Sequence, residues 1–138
     1  MKRYNKKSVS VYGYIRRRAK KELECQTYFA KADWCDTKTR PGFLRLIAGE
    51  SLQSTFGHHL LAIRQTDFTF DAETAFEYTP NNFNQMAGLV LYLNESNYIY
   101  CYVTWDENKG KCLRMIESEN GVAQIEEWRI PLTEKKTS

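Results

Sequence analysis

Asp71 and Glu73 are the chain's clearest candidate for a reactive pair. They stand two apart in DFTFDAETAFEY at 67–78. In an extended chain both project from one face, roughly 6–7 Å apart. Two carboxylates at such a separation are the pair that glycoside cleavage uses, as acid and base or as acid and nucleophile. The same face also bears Asp67, Thr69 and Glu77, the pattern of a solvated face, while the aromatic residues a sugar cleft would need stand on the opposite one. The solvated face is the stronger reading. His58 and His59 form the only histidine cluster. Neighbouring strand residues point to opposite faces, so the two do not readily share one metal. They follow Ser54-Thr55-Phe56-Gly57 with no nucleophile elbow and no acid partner, and a structural role is expected. Tyr92, Tyr98, Tyr100, Tyr102, Trp105 and Trp128 supply flat rings of the kind that stack on a pyranose. Tyr98, Tyr100 and Tyr102 share one face of their segment and, with Trp105, are the candidate carbohydrate contacts. Against this, tyrosines on a half-buried sheet are commonly core residues with the hydroxyl at the rim.

The segments that must position these residues read as strands. RPG at 40–42 is a turn, and FLRLIA (43–48) and LLAIRQ (60–65) are short strands. Residues 67–78 hold the clearest pattern. Phe68, Phe70, Ala72, Thr74, Phe76 and Tyr78 alternate with polar residues over twelve positions, which predicts a strand with one buried and one wet face. After the loop TPNNFN (79–84), the nearly continuous apolar run MAGLVLYLN (86–94) predicts a central strand. NYIYCYVTW (97–105) and KCLRMIES (111–118) follow across short turns. Asn120-Gly121 is a strong hairpin signal, and VAQIEEWRI (122–130) completes the series. Strands this close together, with no helical crossover between them, predict an all-β antiparallel meander in a sandwich or barrel.

Composition agrees. The 138 residues suffice for one domain, and nineteen aromatic residues, nine of them Tyr, favour strands over disorder. The net charge of +3 conceals segregation, because residues 1–21 hold nine bases and no acid while residues 22–138 hold eleven bases and seventeen acids. Residues 1–28 are read as a basic, loosely attached arm in which SVSVYGYI alternates at short range, and residues 29–138 as the domain proper. The body offers no basic groove to extend the arm, so no nucleic-acid partner is expected. No secretory h-region or apolar run of membrane-spanning length is present, so no membrane partner is expected either. Cys25, Cys35, Cys101 and Cys112 form no CxxC pair and no cluster with histidine. No metal and no cofactor is expected, and reduced structural thiols fit a cytoplasmic protein.

RPGFLRLIAGESLQSTF (40–56), LLAIRQTDFTFDAET (60–74) and NNFNQMAGLVLYLNESNYIYCYVTWDENKGKCLRM (81–115) are long and specific strings. With them the chain resembles, over roughly residues 31–130, the C-terminal domain of glycoside hydrolase family 43 β-xylosidases, enzymes of xylan and xylo-oligosaccharide breakdown. The resemblance implies a concanavalin A-like β-sandwich whose catalytic carboxylates lie in a separate, N-terminal five-bladed β-propeller. No catalytic residue is therefore carried over, and no catalysis is expected from this chain alone. Two departures stand out: residues 1–28 do not match the usual linker, and the chain stops near the middle of the usual domain. An incomplete sandwich is expected, its partners a catalytic β-propeller or the missing sandwich strands. Exposed apolar faces and unpaired edges would favour homo-oligomers. An independent module binding xylo-oligosaccharide through the tyrosines is the alternative.

Overall fold

The structure, a computed structural model, describes residues 10–14, 24–25, 34–55, 57–62, 65 and 68–133. Every regular element among them is a strand, and every strand pairing is antiparallel. The chain divides into two compact units, Met1–Glu77 and Tyr78–Ser138, taken here one at a time.

The first unit contains β1 (Ser10–Tyr14), β2 (Glu24–Cys25), β3 (Cys35–Asp36), β4 (Leu44–Ile47), β5 (Leu61–Ala62) and β6 (Ala75–Glu77). Four of them form a sheet in the order β3-β4-β1-β6, while β2 pairs β5 alone. The β3–β4 turn is fastened by one side chain. Asp36 Oδ1 accepts the backbone N–H groups of Lys38 and Thr39 at 2.9 and 2.7 Å, replacing backbone partners that a tight turn cannot offer. At RPG the expected turn forms, with the Phe43 N–H donating to the Arg40 carbonyl at 3.1 Å and Gly42 at φ 86°. Arg40 then lies over the Phe43 ring, 3.6 Å from its centroid, and grips both carboxylate oxygens of Glu77 at 2.6 and 3.2 Å. This pair ties the turn before β4 to the end of β6.

Two expectations need correction here. Among the described residues of the twelve-residue alternation at 67–78, only Ala75–Glu77 forms a strand, and Phe68 and Phe70 are exposed rather than buried. Alternation decides which face is buried once a strand is paired, but it does not supply the partner. Among the described residues, β1 offers only Tyr12–Tyr14, opposite Glu77–Ala75. Of the segment expected to be a loose arm, Ser10–Tyr14 is hydrogen-bonded on both edges, to β4 and to β6, and Glu24–Cys25 pairs with Leu61–Ala62. The rest of residues 1–28 lies outside the described residues.

The second unit is a meander of β7 (Ala87–Asn94), β8 (Asn97–Asp106), β9 (Gly110–Glu119) and β10 (Val122–Ile125), with β11 (Ile130–Pro131) also on β9. Each turn follows from its residues. Asn94 Oδ1 accepts the Ser96 N–H at 2.9 Å and the Asn97 amide at 3.0 Å. Asp106 Oδ1 accepts the N–H groups of Asn108 and Lys109, both at 3.0 Å, before Gly110 turns at φ 71°. Asn120 and Gly121 both take positive φ, 51° and 81°, the two successive left-handed residues of a type I′ hairpin. The Gly121 N–H and the Ser118 hydroxyl both donate to the Ser96 carbonyl, at 2.9 and 3.0 Å, so the two turns at this end of the sheet are latched together.

Strand β7, expected in the centre, ends the order β10-β9-β8-β7. Its leucines explain how an apolar run can sit there: Leu89, Leu91 and Leu93 are 39, 50 and 76% exposed. Gly88 lies opposite Tyr102, and a Cβ there would run into the Cys101 carbonyl oxygen and come within 2.7 Å of the Tyr102 Cα. Both obstacles are backbone, which cannot move without breaking the β7–β8 ladder. Gly88→Ala is therefore expected to cost about 1–3 kcal/mol, the range of overpacking. An unchanged denaturation midpoint in urea would contradict this.

Candidate contact faces of the hairpin sheet

Strict alternation along β8 and its neighbours divides the sheet into two faces of different character. From the register, Tyr98, Tyr100, Tyr102 and Thr104 of β8 share a face with Val90 and Tyr92 of β7 and with Cys112, Arg114, Ile116 and Ser118 of β9. This face is the buried one, with Tyr98, Tyr102, Thr104, Cys112 and Ser118 all inside. Tyr92 stacks near Tyr98 at 6.4 Å between centroids, and Tyr100 near Tyr102 at 5.1 Å. The Thr104 hydroxyl donates to the Phe83 carbonyl at 3.1 Å, which seats the 79–84 loop against β8. Burial pushes the Tyr100 hydroxyl far above its ordinary range near 10, with Tyr78, Tyr102 and Cys101 adding smaller effects. The Tyr78 hydroxyl, buried and making no hydrogen bond among the described residues, is pushed up to about 12 by burial.

The opposite face presents Leu89 and Leu91 of β7, Ile99, Cys101, Val103 and Trp105 of β8, and Lys111, Leu113, Met115 and Glu117 of β9. Leu89, Leu91, Ile99 and Trp105 remain substantially exposed, as does Leu93 at the register shift between Tyr92 and Asn94, whereas Ala87 and Val103 on the same face are buried. The four candidate carbohydrate contacts are thus divided. Tyr98, Tyr100 and Tyr102 stack within the buried face, and only Trp105, 39% exposed, stands on the open one. They do not make one stacking surface. Shared parity was legible in the sequence; which parity faces inward was not.

A polar corner adjoins the buried face where β8 turns into β9. Asp106 Oδ2 meets Arg129 Nε at 2.9 Å. The Asp106 carboxyl is held below the ordinary aspartate range, first by the Asn108 backbone N–H, then by that of Lys109 and by the Arg129 and Arg114 charges, against a raising effect of burial. Arg114, a lone cation in the sequence, lies opposite Tyr102 and reaches the Glu126 carbonyl from Nη2 at 3.4 Å. Cys112 beside it is fully buried, and burial pushes its thiol up. Sequence reasoning missed the Asp106–Arg129 pair because its members belong to different turns and meet only once β11 folds back onto β9; an acid at a hairpin turn and a base just before a terminal strand were the available signals.

The other candidates are not assembled into a site. Asp71 and Glu73 are exposed and lie outside any strand, so no ladder sets their separation. His58 is buried, its Nδ1 donating to the Ser54 carbonyl at 2.8 Å. His59 Nδ1 donates to the Ile47 carbonyl at 2.6 Å while its ring stacks on Trp34, with centroids 4.7 Å apart. Both histidines hold backbone. Among the described residues no group of three or more His, Cys, Asp or Glu could hold a metal ion, and no helix is long and apolar enough to cross a membrane.

Two pH effects follow from these groups. Because the folded Asp106 titrates below its unfolded value near 3.8, its contribution is full above that value and is lost as pH falls through the lower folded one. Asp106→Asn should flatten that part of the acid stability curve, measured by urea midpoints between pH 5 and pH 2; a parallel curve would refute the assignment. Tyr78 has the opposite sense. With a folded value near 12 against an unfolded 10, the stability it contributes is present below pH 10 and is lost as pH rises from there. Tyr78→Phe should flatten the alkaline limb while leaving the acid limb alone.

A family model for the β-xylosidase C-terminal concanavalin A-like domain matches residues 5–138, taking in most of the segment that the sequence reading set apart as an arm. A putative β-xylosidase of Escherichia coli K12 is 41% identical over 101 residues, covering 72% of this chain and 19% of that protein. A β-xylosidase of Bacillus subtilis 168 is 45% identical over 80 residues, covering 58% of this chain and 15% of that protein. Among solved structures, a xylan β-1,4-xylosidase from Bacillus halodurans C-125 superposes with a TM-score of 0.68 at 38% identity, covering 77% of this chain and 20% of that one. The chain spans about a fifth or less of the length of these relatives. An all-strand, antiparallel fold, this family match and these relatives agree: the chain belongs to the C-terminal concanavalin A-like β-sandwich domains of glycoside hydrolase family 43 β-xylosidases.

Proposed function

We propose that this chain is a non-catalytic accessory module of a β-xylosidase or α-L-arabinofuranosidase-type hydrolase acting on xylan-derived oligosaccharides. Its task is to pack against a catalytic domain and help close the substrate pocket. The observation that carries this reading is the distribution of chemistry across the chain. The paired acids Asp71 and Glu73 are exposed on irregular backbone, the histidines hold backbone carbonyls, and the stacked tyrosines are spent in the buried face. What the hairpin sheet leaves outward is largely apolar, with Lys111 and Glu117 on its β9 side, and an apolar patch of this kind suits packing rather than proton transfer. Relatives named for xylosidase and arabinosidase activity, including xylosidase/arabinosidase 43B of Humicola insolens, supply the substrate class.

One observation favours a second reading, an independent carbohydrate-binding module. Trp105 and Trp128 are each 39% exposed, and an exposed indole can stack on a pyranose.

Both readings meet in one set of assays. The chain alone is expected to leave an aryl-xyloside intact and to give no binding heat with xylobiose. Mixed with the propeller domain of a β-xylosidase, it is expected to lower KM. Turnover by the chain alone that is abolished in Asp71→Asn would overturn the accessory role. Binding of xylo-oligosaccharide without turnover, weakened at least about tenfold by Trp105→Ala, would favour the binding module.

A further inference from the structure

Asn120-Gly121 is the single asparagine–glycine step of the chain, every other asparagine being followed by a residue with a side chain. Both residues are exposed, so water and hydroxide reach them. A glycine after asparagine leaves its backbone nitrogen uncrowded. Once deprotonated, that nitrogen can attack the side-chain amide carbon and close a five-membered imide. Here the turn opposes the reaction at both of its backbone amides. The Gly121 N–H donates to the Ser96 carbonyl at 2.9 Å, and the Asn120 N–H donates to Asn97 Oδ1 at 3.0 Å. Asn97 is held in turn, its side-chain amide donating to Asn94 Oδ1 at 3.0 Å. The proton that must leave Gly121 is therefore bound in a hydrogen bond. Asn120 also stands at φ 51°, and the first central residue of a type I′ turn has a ψ of about +30°. The imide ring requires a negative ψ at this residue. Ring closure thus needs the β9–β10 turn to come away from the β7–β8 turn.

We propose that Asn120 is a deamidation site gated by this latch, silent while the two turns are bonded and reactive when the hairpin opens. In the open state hydroxide takes the Gly121 amide proton and the nitrogen bonds to Asn120 Cγ. The Cγ–Nδ2 bond then breaks, and the nitrogen leaves as ammonia after gaining a proton from water. Water next adds across one of the two imide C–N bonds. Cleavage at Cγ gives aspartate, and cleavage at the main-chain carbonyl carbon gives isoaspartate, whose main chain is longer by one carbon. No oxidant or reductant is involved. The aspartate product can rebuild the turn, because Asp-Gly is also a type I′ pair. The isoaspartate product cannot, since the added backbone carbon changes the spacing that sets Val122 opposite Glu119. Opening of this hairpin is thereby converted into permanent loss of the β9–β10 turn, and the bonds from Ser96 and Asn97 set how often that happens.

The test follows the full chain at pH 8 by peptide mapping, scoring a gain of one mass unit at residue 120 and its isoaspartate fraction. The chain unfolded in urea is expected to react at Asn120 before any other asparagine, and the folded chain at least about tenfold more slowly. Asn97→Ala removes the acceptor of the Asn120 N–H and should speed the folded reaction roughly two- to tenfold. Its rate in urea should equal that of the parent. Hydrogen exchange at the Gly121 amide should quicken by the same factor, because both events need the same opening. If Asn97→Ala does not fold, the parent in a series of sub-denaturing urea concentrations replaces it, exchange and deamidation being expected to rise in parallel. Equal rates in folded and unfolded chains would overturn the proposal. So would an Asn97→Ala protein that folds and deamidates no faster, or faster exchange at Gly121 without faster deamidation. None of these outcomes depends on whether the chain binds a xylosidase propeller.

Discussion

The second unit depends on the pairing of β8 with both of its neighbours. From Tyr98 to Asp106, β8 is matched residue for residue with β9, and from Tyr98 to Val103 it is matched with Tyr92 to Ala87 of β7, the register shifting beyond Tyr92. Because side chains alternate strictly in a strand, this single register decides the face of every residue in three strands at once. A slip by one position would turn the tyrosines outward and the leucines inward. The turns prevent the slip. Asp106 and Asn94 satisfy the backbone of their own hairpins, and the left-handed pair Asn120-Gly121 admits no other spacing between β9 and β10.

With the register held, polar groups are distributed by what they can reach. Thr104 and Ser118 are buried on β8 and β9, yet each donates to a carbonyl of a neighbouring loop or turn, at Phe83 and Ser96. Such bonds offset the desolvation of the hydroxyls and fix the loops as a consequence. Asp106 serves two structures at once, closing the β8–β9 turn with one oxygen and meeting Arg129 with the other. These groups support architecture. The same holds in the first unit for Asp36, for the Arg40–Glu77 pair and for the two histidines on their carbonyls.

The open face of the hairpin sheet joins an apolar patch of Leu89, Leu91, Ile99 and Trp105 to Lys111 and Glu117 of β9. Its two edges differ: charge and brevity protect β10, and a register shift between Tyr92 and Asn94 interrupts β7.

The sequence by itself determined the elements whose partners are adjacent in the chain. The runs at 86–94, 97–105 and 111–118 and the Asn120-Gly121 turn were legible because period-two patterning and turn chemistry act over a few residues, and hairpins bring their own partners. The all-β antiparallel class and the family resemblance followed from the same stretch. Features that need distant partners emerged only in the folded chain. The alternation at 67–78 was as regular as any, yet among the described residues it pairs over only three, Ala75–Glu77 against Tyr14–Tyr12 of β1. Ser10–Tyr14, set in a basic stretch that reads as an arm, is paired on both edges because β4 and β6 come to it from far along the chain. The tyrosines of β8 shared a face on any reading, but alternation is symmetric under exchange of faces, and only packing selected their side as the inner one. Local pattern determines which residues travel together; long-range pairing decides where they arrive.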